Sequence, residues 1–320
     1  MTKVKQVEVI REDSGIRLDR WFKRNYPDVG HVAIEKALRK GQIRVDGKKA
    51  KAGQHVEAGQ IIRVPPFDTS KRELPSDKPK KYEIGADHVM VSQIQKSVVY
   101  KDKDIIVINK PHGLATQGGT GIKISVDSLL DYLKFESEDR PKLVHRLDKD
   151  TSGLLVLARK TAVASKLGEA FRNKNMEKVY WAIVVGSPRE NEGKIDLPII
   201  KREVGEDKEK IVVDRENGQK AVTYFRVLER FAEKMAFVEL MPITGRTHQL
   251  RVHMAEMGTP ILGDGKYGGK AAFVEGLSNK LHLHARKLAL PIAGGKGKQF
   301  VADLSDHMLK TFKYLGIEKK

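Results

Sequence analysis

Apolar residues recur along the chain with two periods, and the changes from one to the other divide it. In "IRLDRWFKRNY" Ile16, Leu18, Trp21 and Phe22 fall among basic residues at the spacing of a short amphipathic helix. "VAIEKALRKG" keeps that period and ends on Gly41, a residue suited to a helix C-terminus. "QIRVDGKKA" then reads as a strand entering an Asp46-Gly47 tight turn, and "AGQIIRVPP" as a second strand stopped by Pro65 and Pro66. These elements predict a small unit over residues 15–64, preceded by an extension, 1–14. Residues 65–97, with "TSKRELPSDKPKK", are polar and proline-bearing and predict an irregular linker.

From Val98 the pattern is richer. "DIIVINK" and "GLLVLAR" are continuous apolar runs of strand length, while "VDSLLDYLKF" and "TAVASKLGEAFRN" carry the helical period, the latter with Thr161 as its N-cap. "KVYWAIVVG", "AVTYFRVLERF" and "MAFVELMPI" predict successive strands; "THQLRVHMAEMG" and "LSDHMLKTFKYLG" predict helices. Strands and helices mixed without strict alternation predict an α+β domain over residues 98–320.

Composition narrows the function. Lys and Arg number 60 against 42 Asp and Glu, a net charge of +18, which predicts a polyanionic partner. Without cysteine, disulfides, thiolate metal sites and cysteine nucleophiles are excluded. The N-terminus lacks the apolar core of a signal peptide, and no run reaches the roughly 20 apolar residues that span a bilayer. The expectation is a cytoplasmic protein with no membrane partner.

Chemistry concentrates at "LVHRLDKDTSGLLVLAR", where Asp148 sits between Arg146 and Lys149. Asp is common in turns, but Asp150 and Thr151 can serve the turn and leave Asp148 spare. In an extended segment Arg146 and Asp148 share a face, and an adjacent cation lowers an aspartate pKa by roughly 1–3 units. A partly buried, ionised aspartate can act as nucleophile or base. A second cluster, Arg246, His248, Arg251 and His253, surrounds a turn and helix start. His248 and His253 are five apart, the wrong spacing for metal on one helix face, and His282 and His284 read as structural. "GDGKYG" matches a dinucleotide fingerprint formally but lacks its strand–helix frame, and "GGTGIKIS" lacks Walker spacing, so no cofactor and no metal is expected. Of Tyr180 and Trp181, neighbours on one strand, one must face away from the other.

"HRLDKDTSGLLVLAR" resembles the RluA superfamily of large-subunit rRNA pseudouridine synthases. "VVYKDKDIIVINKPHGLATQGG", "MEKVYWAIVVG", "TGRTHQLRVHMAEMGTPILGDGKYG" and "LHLHARKLAL" are similar to its other motifs in the same order, over residues 98–290. Residues 15–64 resemble an S4 RNA-binding domain, and "NKPHGLATQGGTG" is closer to the C type of the superfamily than to the D type. The resemblance implies a large, mixed, mainly antiparallel sheet with flanking helices and a central cleft. It implies a monomer acting on 23S rRNA or a large-subunit precursor. It implies Asp148 as the catalytic aspartate, paired with Arg251, and Tyr180 stacked on the target uracil as proton acceptor at C5. Arg146 would help extrude the base, and His145, Arg246 and His248 would contact substrate. Arg17, Arg20, Lys36, Arg39, Lys40 and Arg44 are candidate phosphate contacts of the S4-like unit. Two rivals stay open: a non-catalytic ribosome-assembly protein with this fold, and a tRNA-directed synthase of the same superfamily.

Overall fold

The chain separates into two units, Met1–Lys81 and Tyr82–Lys320, in a computed structural model that describes residues 4–67, 87–119, 121–172, 176–203, 209–290 and 297–318. The first unit holds β1 (Lys5–Glu8), α1 (Leu18–Asn25), α2 (His31–Arg39), β2 (Arg44–Val45), β3 (Lys48–Lys49) and β4 (Ile61–Val64). Its sheet runs β1-β4-β2-β3, antiparallel throughout. Asp46 and Gly47 both take positive φ, 49° and 74°, as a two-residue hairpin turn demands. Leu18, Trp21, Phe22, Ile34 and Leu38 close one apolar core with Ile43, Val56 and Ile62. Two expectations need correction. Residues 5–8, assigned to an extension, are an edge strand of this sheet, because backbone pairing with β4 needs no apolar period. Part of the expected linker is helical: α3 (Asp87–Lys96) buries Ile94, with Met90 and Val91 against the same cluster in the second unit. Residues 68–86 of that linker lie outside the described residues.

The second unit continues with β5 (Val98–Lys101), β6 (Ile105–Lys110), α4 (Val126–Leu129), β7 (Lys142–Leu143), β8 (Ser152–Ala158) and α5 (Thr161–Arg172). Next come β9 (Glu177–Val185), β10 (Glu192–Asp196), and β11 (Ile199–Glu203) paired with β12 (Glu209–Val213) as a separate arm. β13 (Val222–Phe231), β14 (Met235–Pro242), α6 (Gln249–Glu256), β15 (Leu283–Leu290), β16 (Lys298–Val301) and α7 (Asp306–Leu315) complete it. Ten strands form one sheet in the order β10-β13-β14-β9-β15-β8-β6-β5, with β16 beside β15 and β7 beside β8. The β15–β8 pair is parallel and the other pairings are antiparallel.

Both faces of the central strands are covered, which is why β8 and β9 read as unbroken apolar runs. On one face Leu155 and Leu157 meet α3 and α4, while Ala182 and Val184 meet Leu250 and Met254 of α6. On the other, Leu154 and Val156 meet α5 through Leu167, and Trp181 and Ile183 meet Met308 and Phe312 of α7. Helix α5 starts on Thr161 itself, so that residue is the first of the helix rather than its cap. Gly153, at φ 110°, is where β8 comes alongside β15; a Cβ there would collide with the Ala285 backbone.

Candidate active site

Asp148 is set at the head of β8 by contacts to its neighbours' backbone. The Thr116 hydroxyl donates to the Leu147 carbonyl at 2.6 Å and accepts the Leu147 N–H at 3.1 Å. One residue further, the Lys149 carbonyl accepts the Gly113 N–H at 3.0 Å and the Lys110 ammonium at 3.1 Å. Lys110 is fully buried and donates also to the carbonyls of Leu114 (2.8 Å) and Pro111 (3.0 Å), so three acceptors use its three donors. Burial pushes its pKa down to about 7, while the carboxylates of Asp150 and Asp148 pull it back up. The Thr151 N–H closes the turn on the Asp148 carbonyl at 3.2 Å. The loop is thereby held from below, and the Asp148 side chain is left over.

That side chain opens into a small cleft of about 110 Å³. Arg146, Tyr180, Arg246, His248 and Arg251 line it with Asp148. Among the described residues the Asp148 carboxylate takes no direct hydrogen bond; His248 Nε2 lies 3.9 Å from it. Arg146 is exposed and makes no hydrogen bond or ion pair with a described residue, so it remains available. Arg246 donates through Nε to the Lys220 carbonyl at 3.3 Å.

Tyr180 is carried by β9 between Leu240 of β14 and Ala285 of β15. It faces the cleft, and its neighbour Trp181 faces the opposite side, edge-on to Phe237 at 5.0 Å. Burial and then the charge of Asp148 raise the Tyr180 phenol pKa, so it is protonated at neutral pH.

Two expected roles are corrected. Arg251 does not pair with Asp148: its Nε and Nη2 donate to Asp264 at 2.8 and 2.7 Å, both residues being buried. The reason is desolvation, since a buried carboxylate such as Asp264 needs a fixed counter-charge and the half-open Asp148 does not. Arg251 still lines the cleft, and the charge of Asp148 acts on it. His145 is not in the cleft. Its Nε2 accepts the Val156 N–H at 2.9 Å, its ring stacks on Phe171 of α5 at 4.2 Å, and burial pushes its pKa to about 3. The cleft receives Arg146 and Asp148, while His145 faces Phe171 and the Val156 backbone instead.

Three contributors were not singled out from sequence. Asp264 neutralises Arg251. Tyr267 meets His248 Nδ1 at 2.6 Å. Gln249 accepts the Thr244 hydroxyl at 2.7 Å and the Arg246 N–H at 3.1 Å, and donates to the Val222 carbonyl at 3.0 Å, tying the turn before α6 to β13. The "GDGKYG" segment that resembles a nucleotide loop supplies the first two. His253, clustered with the cleft residues in sequence, is buried under α6 between the Thr223 hydroxyl (3.0 Å) and the Leu197 carbonyl (3.1 Å).

The sequence model of RNA pseudouridylate synthase matches residues 104–256. The ribosomal large subunit pseudouridine synthase C of Rickettsia conorii is 42% identical over 86% of this chain and 88% of its own. The protein of that name from Vibrio vulnificus is 35% identical over 90% of this chain and 88% of its own. Among solved structures, human RNA pseudouridylate synthase domain containing 4 superposes with a TM-score of 0.61 at 33% identity, over 72% of this chain and 97% of that one. With the aspartate, tyrosine and arginine motifs gathered at one cleft of a large mixed sheet, this chain belongs to the RNA pseudouridylate synthase family.

Proposed function

We propose that the protein isomerises specific uridines of 23S rRNA to pseudouridine, with Asp148 as the catalytic carboxylate. The observation that carries this reading is the meeting of Asp148 and Tyr180 in one cleft beside an unengaged Arg146. In the reaction the N1–C1′ bond breaks, the uracil turns, C5 bonds to C1′, C5 loses its proton and N1 gains one. Nothing is oxidised and no group leaves, so ionised and hydrogen-bonding side chains suffice. Asp148 acts on the ribose or the ring. Tyr180 stacks on the uracil, and its neutral phenol takes the C5 proton only as it passes its own on, with Asp148 the nearby carboxylate. Arg146 fills the place of the extruded base. Arg251, neutralised by Asp264, is a fixed wall of the site, and Arg246 and His248 contact substrate.

The substrate assignment rests on the names of the bacterial relatives and on the +18 charge. The unit Met1–Lys81 acts as an S4-like module that adds phosphate contacts. Arg20, Lys36, Arg39 and Lys40 are exposed there without side-chain partners among the described residues. Arg17 is engaged by Asp19 at 2.6 Å and Arg44 by the Gly41 and Gly47 carbonyls, so these two contribute less. Among the described residues no helix is long and apolar enough to cross a membrane. A monomer working in the cytoplasm on rRNA or a precursor particle fits this reading. The test is tritium release from C5-labelled 23S transcript, precursor particles and tRNA. Release from 23S RNA or its particle supports the assignment; release from tRNA alone replaces it with a tRNA-directed synthase, and none from any substrate favours an assembly role.

A further inference from the structure

His248 precedes α6 with φ 54° and ψ 16°, in the left-handed region that few non-glycine residues enter. Such backbone persists only where the surroundings hold it. Here the ring is held at both ends. Nδ1 lies 2.6 Å from the Tyr267 hydroxyl, and Nε2 lies 3.9 Å from Asp148 Oδ2.

The direction of the first contact follows from the other ring nitrogen: a proton on Nε2 faces the Asp148 carboxylate, which leaves Nδ1 to accept. Burial pushes the Tyr267 phenol pKa up to about 12, so the proton stays on. The hydroxyl hydrogen then has one acceptor among the described residues, His248 Nδ1. A ring that accepts at Nδ1 and is neutral carries its proton on Nε2. Burial lowers the His248 pKa, with Arg251 and Lys266 adding to it and Asp148 and Asp264 opposing, which favours the neutral ring. Tyr267 is itself fixed: Ile211 and Val213 of the arm pack on it, and the Arg251 guanidinium lies 5.0 Å from its ring centre.

Granted that Asp148 is the catalytic carboxylate, we propose that Tyr267 and His248 are positioning residues for it. The phenol locks His248 as the Nε2–H tautomer, so that a neutral donor faces the carboxylate and fixes its orientation without a second full charge. At 3.9 Å the donor is too far for a hydrogen bond, and the gap closes, as such contacts do, when substrate fills the cleft. This is also why the carboxylate can do without Arg251, whose two donors are committed to Asp264.

The experiment uses the full chain and C5-tritiated 23S transcript under single-turnover conditions at saturating RNA. Ring nitrogens of ¹⁵N-histidine-labelled protein are read in parallel. His248→Ala should lower the rate on the order of 10- to 100-fold, the scale of a hydrogen bond to a charged group, and more than it lowers RNA affinity. His248→Gln, whose amide N–H replaces Nε2–H, should recover most of that loss. Tyr267→Phe should lower the rate less and give His248 a mixture of tautomers where the wild type shows one. The proposal is overturned by Nδ1–H as the wild-type tautomer, by Gln performing no better than Ala, by Tyr267→Phe leaving rate and tautomer unchanged, or by His248→Ala weakening RNA binding alone. Asp148→Ala is run alongside: if it turns over like wild type, the reading of Asp148 fails first, and the tautomer result still stands by itself.

Discussion

Arg251 gives both ends of its guanidinium fork to Asp264, at 2.8 and 2.7 Å, beneath the cleft that Asp148 faces. The two carboxylates therefore differ: one is neutralised and buried, the other is half-open to the cleft. Removing Asp264 leaves a buried cation unpaired. Asp264→Ala should cost about 3–5 kcal/mol in urea denaturation, and pairing it with Arg251→Met should recover part of that. A loss below about 1 kcal/mol would mean the pair contributes no more than a surface ion pair.

Lys110 should be equally intolerant of change. Lys110→Met keeps most of the side-chain volume but leaves the carbonyls of Pro111, Leu114 and Lys149 without this donor. Each unsatisfied buried acceptor costs about 1–3 kcal/mol, so the melting temperature should fall clearly and residual activity should be heat-sensitive. Unchanged stability would contradict the view that this ammonium holds the Asp148 loop from below.

Much of this was legible in sequence, for a physical reason in each case. Strands β8 and β9 are buried on both faces, so their apolar runs announce them. The spacing of Arg146 and Asp148, two apart, anticipates that both reach the cleft, and the same alternation, applied one residue earlier, would have turned His145 away. The Arg251–Asp264 pair was not legible, since it joins a helix to a loop and leaves no periodic trace. Helix α3 was hidden because its short apolar face, Met90, Val91 and Ile94, follows a proline- and lysine-rich stretch. β1 is mostly exposed, and only its pairing with β4 defines it.

Acid should unfold the protein earlier than its carboxylates alone would require. Burial depresses the pKa of His282 to about 4 and of His145 and His284 to about 3. The unfolded chain binds these protons first, near the ordinary histidine value of about 6.5. The contribution is complete above that pH and drains away as pH falls through about 6.5 towards 4 and then 3. Urea midpoints should decline over this window; a flat profile down to about pH 4 would contradict it.

The proposed phosphate contacts of the first unit predict a salt signature. Replacing Lys36, Arg39 and Lys40 with alanine should weaken RNA binding and flatten the log–log salt dependence by about 2, at about 0.7 per lost contact. The single-turnover rate at saturating RNA should not change. An unaltered slope would assign these exposed side chains to solvent.

The most direct test compares wild type with Asp148→Ala for tritium release from C5-labelled 23S transcript. The Asp148 carboxylate takes no direct hydrogen bond from a described residue, so the variant should fold and bind RNA as wild type does. Release by wild type and none by the variant, with binding intact, is the predicted result. Release by Asp148→Ala at the wild-type rate would contradict the account, because the carboxylate that the whole loop is built to present would then be idle.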